Sequence, residues 1–215
     1  MIKINENAEK IAQIFVKTYP NPKSELLYSN EFQFFVAVCL SAQTTDKKVN
    51  QVTEHLFKKY KGWEDLAGAA LTLEQLRKDI HGVNFHIGKA ERLVKASQMV
   101  IADFGGELPH TMAQLVRIPG VARKTANVLL NDLWEIAEGI VVDTHVTRVS
   151  TRLGLTEEKD AVKIERDLMQ VFAKKYWSNL SNSIVLHGRY VCMAKNPKCA
   201  ACVLNKVCPS AFSFE

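Results

Sequence analysis

The chain contains no apolar run approaching the roughly 20 residues that a bilayer-spanning helix needs. Its longest, Phe32 to Leu40 interrupted by Gln33, reads as a buried helix. The opening stretch, Met1-Ile-Lys-Ile-Asn-Glu6, lacks the basic and apolar regions of a secretory signal. There is no low-complexity tract and no long linker. Charge of one sign is scarce too, since 28 Lys and Arg face 23 Asp and Glu, a net +5. That balance permits a polyanionic partner without demanding one. An apolar fraction of 47% with 24% charged residues excludes wholesale disorder. These features predict a cytoplasmic protein with no membrane segment. Its 215 residues suit one large domain or two small ones.

Strand patterning is almost absent. Only Ile140-Val141-Val142 has the composition of a strand, and three residues do not make a sheet. Helical periodicity fills the rest. Ile11, Ile14, Phe15 and Thr18 mark a first helix that stops at Pro20-Asn-Pro22. Val49, Val52, Leu56 and Tyr60 mark another, with Thr45 or Asp46 placed as its cap. Ala90, Leu93, Val94, Ser97, Val100 and Ile101 precede a Gly105-Gly106 stop, and Ala161, Val162, Ile164, Leu168, Val171 and Phe172 form a late amphipathic helix. The chain is predicted to be all-α.

Two short turns carry most of the punctuation. Val83-Asn84-Phe85 and Ile118-Pro119-Gly120-Val121-Ala122 each join two helical patterns. Both are followed by a basic residue and a run opening with Ala. Thr111-Met-Ala-Gln114 is a capping-box pattern, and the helix it opens is predicted to end at Ile118, because a residue before proline is steered away from helical geometry. A second helix then starts at Arg123-Lys-Thr-Ala-Asn127. The N-terminus of a helix after so tight a turn offers unpaired N–H groups and the positive end of a dipole, which together can hold a phosphate.

Cysteine is confined in an unusual way. Cys39 sits inside the apolar run and reads as a core filler. The other four, Cys192, Cys199, Cys202 and Cys208, follow the spacing C-x6-C-x2-C-x5-C near the C-terminus. Crowding of this kind in a reducing compartment points to metal before disulfide. Four thiolates suit either zinc or an iron–sulfur cluster, and spacing as such does not choose between them.

Ile118-Pro-Gly-Val-Ala-Arg-Lys-Thr-Ala-Asn127 resembles the helix-hairpin-helix of the endonuclease III family of DNA base-excision glycosylases. Val141-Val142-Asp143-Thr144-His145-Val146, the cysteine spacing and Leu40-Ser-Ala-Gln-Thr-Thr-Asp46 are similar to further segments of that family, in the same order. The resemblance covers nearly the whole chain. It implies a hairpin at about 111–130 that grips the sugar-phosphate backbone through Gly120, Ala122 and Arg123, and it makes Lys124 the nucleophile. Such a lysine must be a neutral amine, against a reference pKa of about 10.4. Partial burial and the positive helix end would both disfavour its ammonium form. Asp143 would stabilise charge developing at the sugar while capping the helix that begins at Thr144, with His145 beside it.

The same resemblance assigns a [4Fe–4S] cluster to Cys192, Cys199, Cys202 and Cys208, bracing a loop whose Arg189, Lys195, Lys198 and Lys206 face DNA phosphates. Because the target nucleotide must leave the stack, two residues would fill the gap, Gln43 in the vacated position and Phe85 as an apolar wedge. The alternative for Phe85 is a place in the core. Two positions depart from the family pattern, which has Gly where Ala122 and Asn84 stand. If the backbone at 122 must be left-handed, Ala costs about 1 kcal/mol; if it is helical, Ala costs nothing.

The implied architecture is a helical barrel over residues 24–134, with 1–23 and 135–215 forming a second helical domain that carries the cluster loop. Lys124 and Asp143 would then flank a cleft. The implied protein is a monomeric, nucleoid-associated DNA glycosylase and AP lyase. It would act on double-stranded DNA with oxidised pyrimidines or abasic sites and cleave 3′ to the abasic site by β-elimination. The alternatives are a glycosylase for mismatched bases, or a non-catalytic DNA-binding or redox-sensing iron–sulfur protein on the same scaffold.

Overall fold

The computed structural model describes residues 7–68 and 73–213. The opening stretch Met1 to Glu6, on which the expectation about location rests, lies outside the described residues. Along the chain run α1 (Ala8–Thr18), α2 (Glu31–Ser41), α3 (Asp46–Lys59), α4 (Trp63–Ala67), α5 (Leu73–Asp79) and α6 (His86–Phe104). They are followed by α7 (Met112–Leu115), α8 (Arg123–Trp134), α9 (Thr144–Arg152), α10 (Ala161–Val171) and α11 (Trp177–Tyr190), with 3-10 turns at Lys174–Tyr176 and Cys199–Ala201. Among the described residues there is no strand, and no helix is long and apolar enough to cross a membrane.

The chain forms two compact units. One is contiguous, Glu25–Trp134; the other joins Met1–Ser24 to Glu135–Glu215. The contiguous unit is built around α2. Phe32, Phe34, Phe35, Val36, Ala37, Val38 and Leu40 are all buried, so this helix is apolar on nearly every side, the pattern of a helix enclosed by others. Helices α3, α6 and α8 pack against it. Asn30 starts α2 by accepting from the Gln33 N–H, and Thr45, rather than Asp46, caps α3 by accepting from the Lys48 N–H. The other unit packs α1 and α9 against α11. Its core includes Ile11, Phe15, Val146, Val149, Ile164, Leu168, Leu180 and Ile184. In α10 the apolar face begins at Ile164, because Ala161 and Val162 are exposed in the first turn.

Gly188 of α11 lies tight against α9. A β-carbon there would stand 2.9 Å from His145 Cβ and 3.2 Å from Val149 Cγ2. Replacing Gly188 by Ala should therefore force the two helices apart and cost about 1–3 kcal/mol. The midpoint of denaturant unfolding checks this; an unchanged midpoint would mean that the two backbones yield freely.

Candidate active site and cysteine pocket

The hairpin expected at about 111–130 is present, with a shorter first helix. Thr111 caps α7, its hydroxyl accepting from the Gln114 N–H and donating to Gln114 Oε1 at 2.8 Å. The helix ends at Leu115 rather than Ile118. Beyond it the N–H groups of Arg117 and Ile118 bond three residues back, to Gln114 and Leu115. The influence of Pro119 thus reaches back over a whole turn, tightening the chain before the proline itself.

Gly120 then takes φ +89°, and a β-carbon there would meet Arg92 Cβ at 3.3 Å. Glycine is needed on both counts. Ala122 is not left-handed. Its carbonyl accepts from the Ala126 N–H and already belongs to α8, so the departure from Gly at 122 carries no strain.

Lys124 lies on the first turn of α8 and is exposed. The expectation of partial burial does not hold in the free protein. Ala122, at the head of the helix, has no polar side chain with which to satisfy the first-turn N–H groups. Arg123 is exposed beside Lys124.

Asp143 caps α9. Its Oδ1 accepts from the N–H groups of His145 and Val146, both at 2.8 Å, and the side chain is half-buried. Just before it, Ile140, Val141 and Val142 are buried in an extended segment, held where the Val141 N–H donates to Ser181 Oγ at 3.1 Å. His145 Nδ1 is 3.2 Å from Arg148 Nη2, and Arg148 also donates to the Gly188 and Cys192 carbonyls. The start of α9 is thereby tied to the cysteine loop, a role for Arg148 that nothing in the sequence signals.

All four C-terminal cysteines are free thiols. They border one pocket with about 410 Å³ of empty space, part of it open to solvent, lined also by Val149, Leu153 and Leu204. Burial pushes the Cys202 and Cys208 thiols up, and the neighbouring cysteines act in the same sense. Donors are already aimed at sulfur: Arg152 Nη1 lies 3.4 Å from Cys192 Sγ, and the Leu204 N–H lies 3.4 Å from Cys202 Sγ. Arg152 further holds the loop by donating to the Met193 and Ala194 carbonyls. Buried His187, its pKa pulled by burial down to about 4, stands 3.5 Å from Cys202 Sγ and 3.3 Å from the Tyr19 hydroxyl. Among the described residues no three His, Cys, Asp or Glu side chains meet closely enough to share a single metal ion. Arg189 is half-buried on α11, and Lys195, Lys198 and Lys206 are exposed.

The gap-filling candidates stand in the contiguous unit, on neighbouring loops. Gln43 is exposed and left-handed, with φ +55°. Phe85 is 68% exposed, which removes the core alternative, and it too is left-handed, with φ +58°. Asn84, which stands where the family pattern has Gly, is not left-handed; the left-handed residue is its neighbour Phe85. Asn84 spends its polar groups on the facing loop instead, its Nδ2 donating to the Gln43 carbonyl and its N–H to Thr44 Oγ1. For a non-glycine residue such geometry costs roughly 1–3 kcal/mol and lasts only where neighbours enforce it. The neighbour missed in the sequence is Lys89, only 5% exposed, whose Nζ donates to the Leu40 and Ala42 carbonyls at 2.7 and 2.6 Å.

Residues 36–174 match the model of the HhH-GPD superfamily base excision DNA repair protein, a class in which a hairpin of this kind is the shared element. Endonuclease III of Synechocystis is 43% identical over 212 residues, spanning 98% of this chain and 95% of the relative. That of Bacillus subtilis is 44% identical over 201 residues, spanning 93% and 89%. A solved structure of a trapped covalent endonuclease III–DNA intermediate, an estranged-adenine complex, matches with a TM-score of 0.87 at 36% identity, over 95% of this chain and 96% of that one. The chain belongs to the endonuclease III family of base-excision-repair DNA glycosylases with AP lyase activity.

The cap at α9 can be tested by itself. Asp143→Ala should lower stability by about 1 kcal/mol through loss of the two accepted bonds, whereas Asp143→Asn, itself a good cap, should leave it nearly unchanged. Thermal unfolding of the two variants side by side measures the difference.

Proposed function

We propose that this glycosylase removes oxidised pyrimidines from double-stranded DNA and then cuts the strand 3′ to the abasic site, with Lys124 as nucleophile and Asp143 as its electrostatic partner. The observation that carries the reading is Lys124 on the first turn of α8, directly after the left-handed Gly120 of the hairpin. The solved relative trapped as a covalent complex with DNA supports the same chemistry.

First-turn N–H groups of α8, with Arg123, hold phosphate beside the lesion. Bound DNA excludes water from Lys124, supplying the desolvation that the free protein does not. The unprotonated Nζ forms a bond to C1′ as the glycosidic C1′–N bond breaks, and the departing base takes up the proton that the new ammonium nitrogen releases. Asp143 steadies the positive charge on the sugar in that step. The C1′–O4′ bond then breaks, the ring oxygen taking a proton from water to become the 4′ hydroxyl, and leaves the protonated Schiff base. Loss of a C2′ proton then expels the 3′ phosphate, completing β-elimination. Hydrolysis returns the free lysine.

The four cysteines fit a [4Fe–4S] cluster. Their thiols ring a void rather than meeting at a point, and each would take one iron corner. A single tetrahedral zinc would need its sulfurs about 3.8 Å apart, given a Zn–S bond of about 2.3 Å. Arg152 and the Leu204 N–H would donate to the thiolates. When bound, the cluster would supply a rigid brace for the loop bearing Lys195, Lys198 and Lys206, so that these and Arg189 meet phosphates in a salt-dependent way.

Borohydride reduction of the protein mixed with abasic-site DNA should give a covalent adduct, absent in Lys124→Ala. A well-folded wild-type protein that gives none would leave the scaffold as a binding protein. Asp143→Asn should keep the fold and lose about 10²–10³-fold in base excision, measured on a single-lesion duplex.

Purified protein should be yellow-brown and contain four irons, and Cys202→Ser should lose them together with tight DNA binding. A colourless sample loaded with zinc would overturn the cluster.

A further inference from the structure

Lys89 carries a cation into the contiguous unit, and no carboxylate is among its hydrogen-bond partners. Its Nζ donates to the Leu40 and Ala42 carbonyls and to Thr44 Oγ1 at 3.3 Å. The first two are carbonyls at the C-terminal end of α2, where a positive charge is favoured by the helix dipole. The ammonium thus closes α2 and, in the same contact, fixes the loop that lifts Gln43 into the exposed left-handed conformation. Lys89 itself sits on the first turn of α6, and its own N–H bonds back to the Phe85 carbonyl. Asn84 completes the tie from the other side through Thr44 Oγ1 and the Gln43 carbonyl.

Two strained, exposed residues on separate loops are therefore held by one network. We infer that Lys89 is a positioning residue for duplex opening: it keeps Gln43 and Phe85 raised together as a paired wedge, one filling the vacated base position and the other prying the adjacent step. This rests on the function proposed above and adds to it the group that aligns the two insertions. Lys89 does not touch the reacting sugar. Its loss acts only where base pairs must be parted. An abasic site in single-stranded DNA needs no such parting, so its cleavage by Lys124 is independent of the wedge.

The test compares strand cleavage at an abasic site in duplex and in single-stranded oligonucleotides, for wild type, Lys89→Met and Asn84→Ala. A 2-aminopurine beside the site reports unstacking. The duplex-to-single-strand cleavage ratio should fall at least tenfold in Lys89→Met, with loss of the fluorescence rise and single-strand cleavage within twofold of wild type. An unchanged ratio in folded Lys89→Met overturns the inference. If Lys89→Met does not fold, Asn84→Ala decides, since its side chain is exposed: a ratio lowered at least threefold supports the paired wedge, and an unchanged one overturns it. Failure of wild type to cleave or trap either DNA form would sink the proposed function and this inference with it.

Discussion

Helix ends govern this protein. Every α-helix finishes with backbone groups that its own ladder cannot pair, and the residues of interest here are those that deal with them. Asp143 spends its carboxylate on two N–H groups at the head of α9. Lys89 spends its ammonium on two carbonyls at the tail of α2. At the head of α8 the chain places Ala122, which can cap nothing, and the next two residues are Arg123 and Lys124. With no side-chain acceptor at its head and two cations following, that end is suited to a phosphate.

The glycines and the strained residues follow from this arrangement. Gly120 is the only residue type able to turn the chain at φ +89° with Arg92 pressed against it, and so to present the head of α8 outward. Gly188 lets α9 lie against α11, which brings Arg148 and Arg152 within reach of the cysteine loop. Gln43 and Phe85 have no such excuse. They occupy left-handed geometry at a cost, which is offset by the hydrogen bonds of buried Lys89 and exposed Asn84 beside them.

The all-α class and the positions of the long helices were legible in spacing of apolar residues, because one-sided burial imposes a period. The cap at Thr45, the cap at Asp143 and the hairpin were legible for a related reason, since capping chemistry uses few residue types. Other features were not, the ties made by Arg148 among them. The short α7 depended on how far a proline's constraint propagates backwards. The left-handed residue is Phe85, while Asn84 beside it bonds the facing loop, a contact distant in sequence. Lys89 was hidden altogether: a lysine in a helix reads as solvated surface, and only the approach of the α2 carbonyls, distant in sequence, turns it into a buried clasp.

The division of the chain has a consequence for biosynthesis. Glu25–Trp134 is unbroken in sequence, so every residue of that unit is made before α9 begins. The other unit is assembled from segments on either side of it, and α1 packs against α11, some 160 residues later. Its first helix must therefore wait, apolar face uncovered, until α11 has been made. The contiguous unit is therefore complete in sequence before the helices and cysteines that finish the other unit are made.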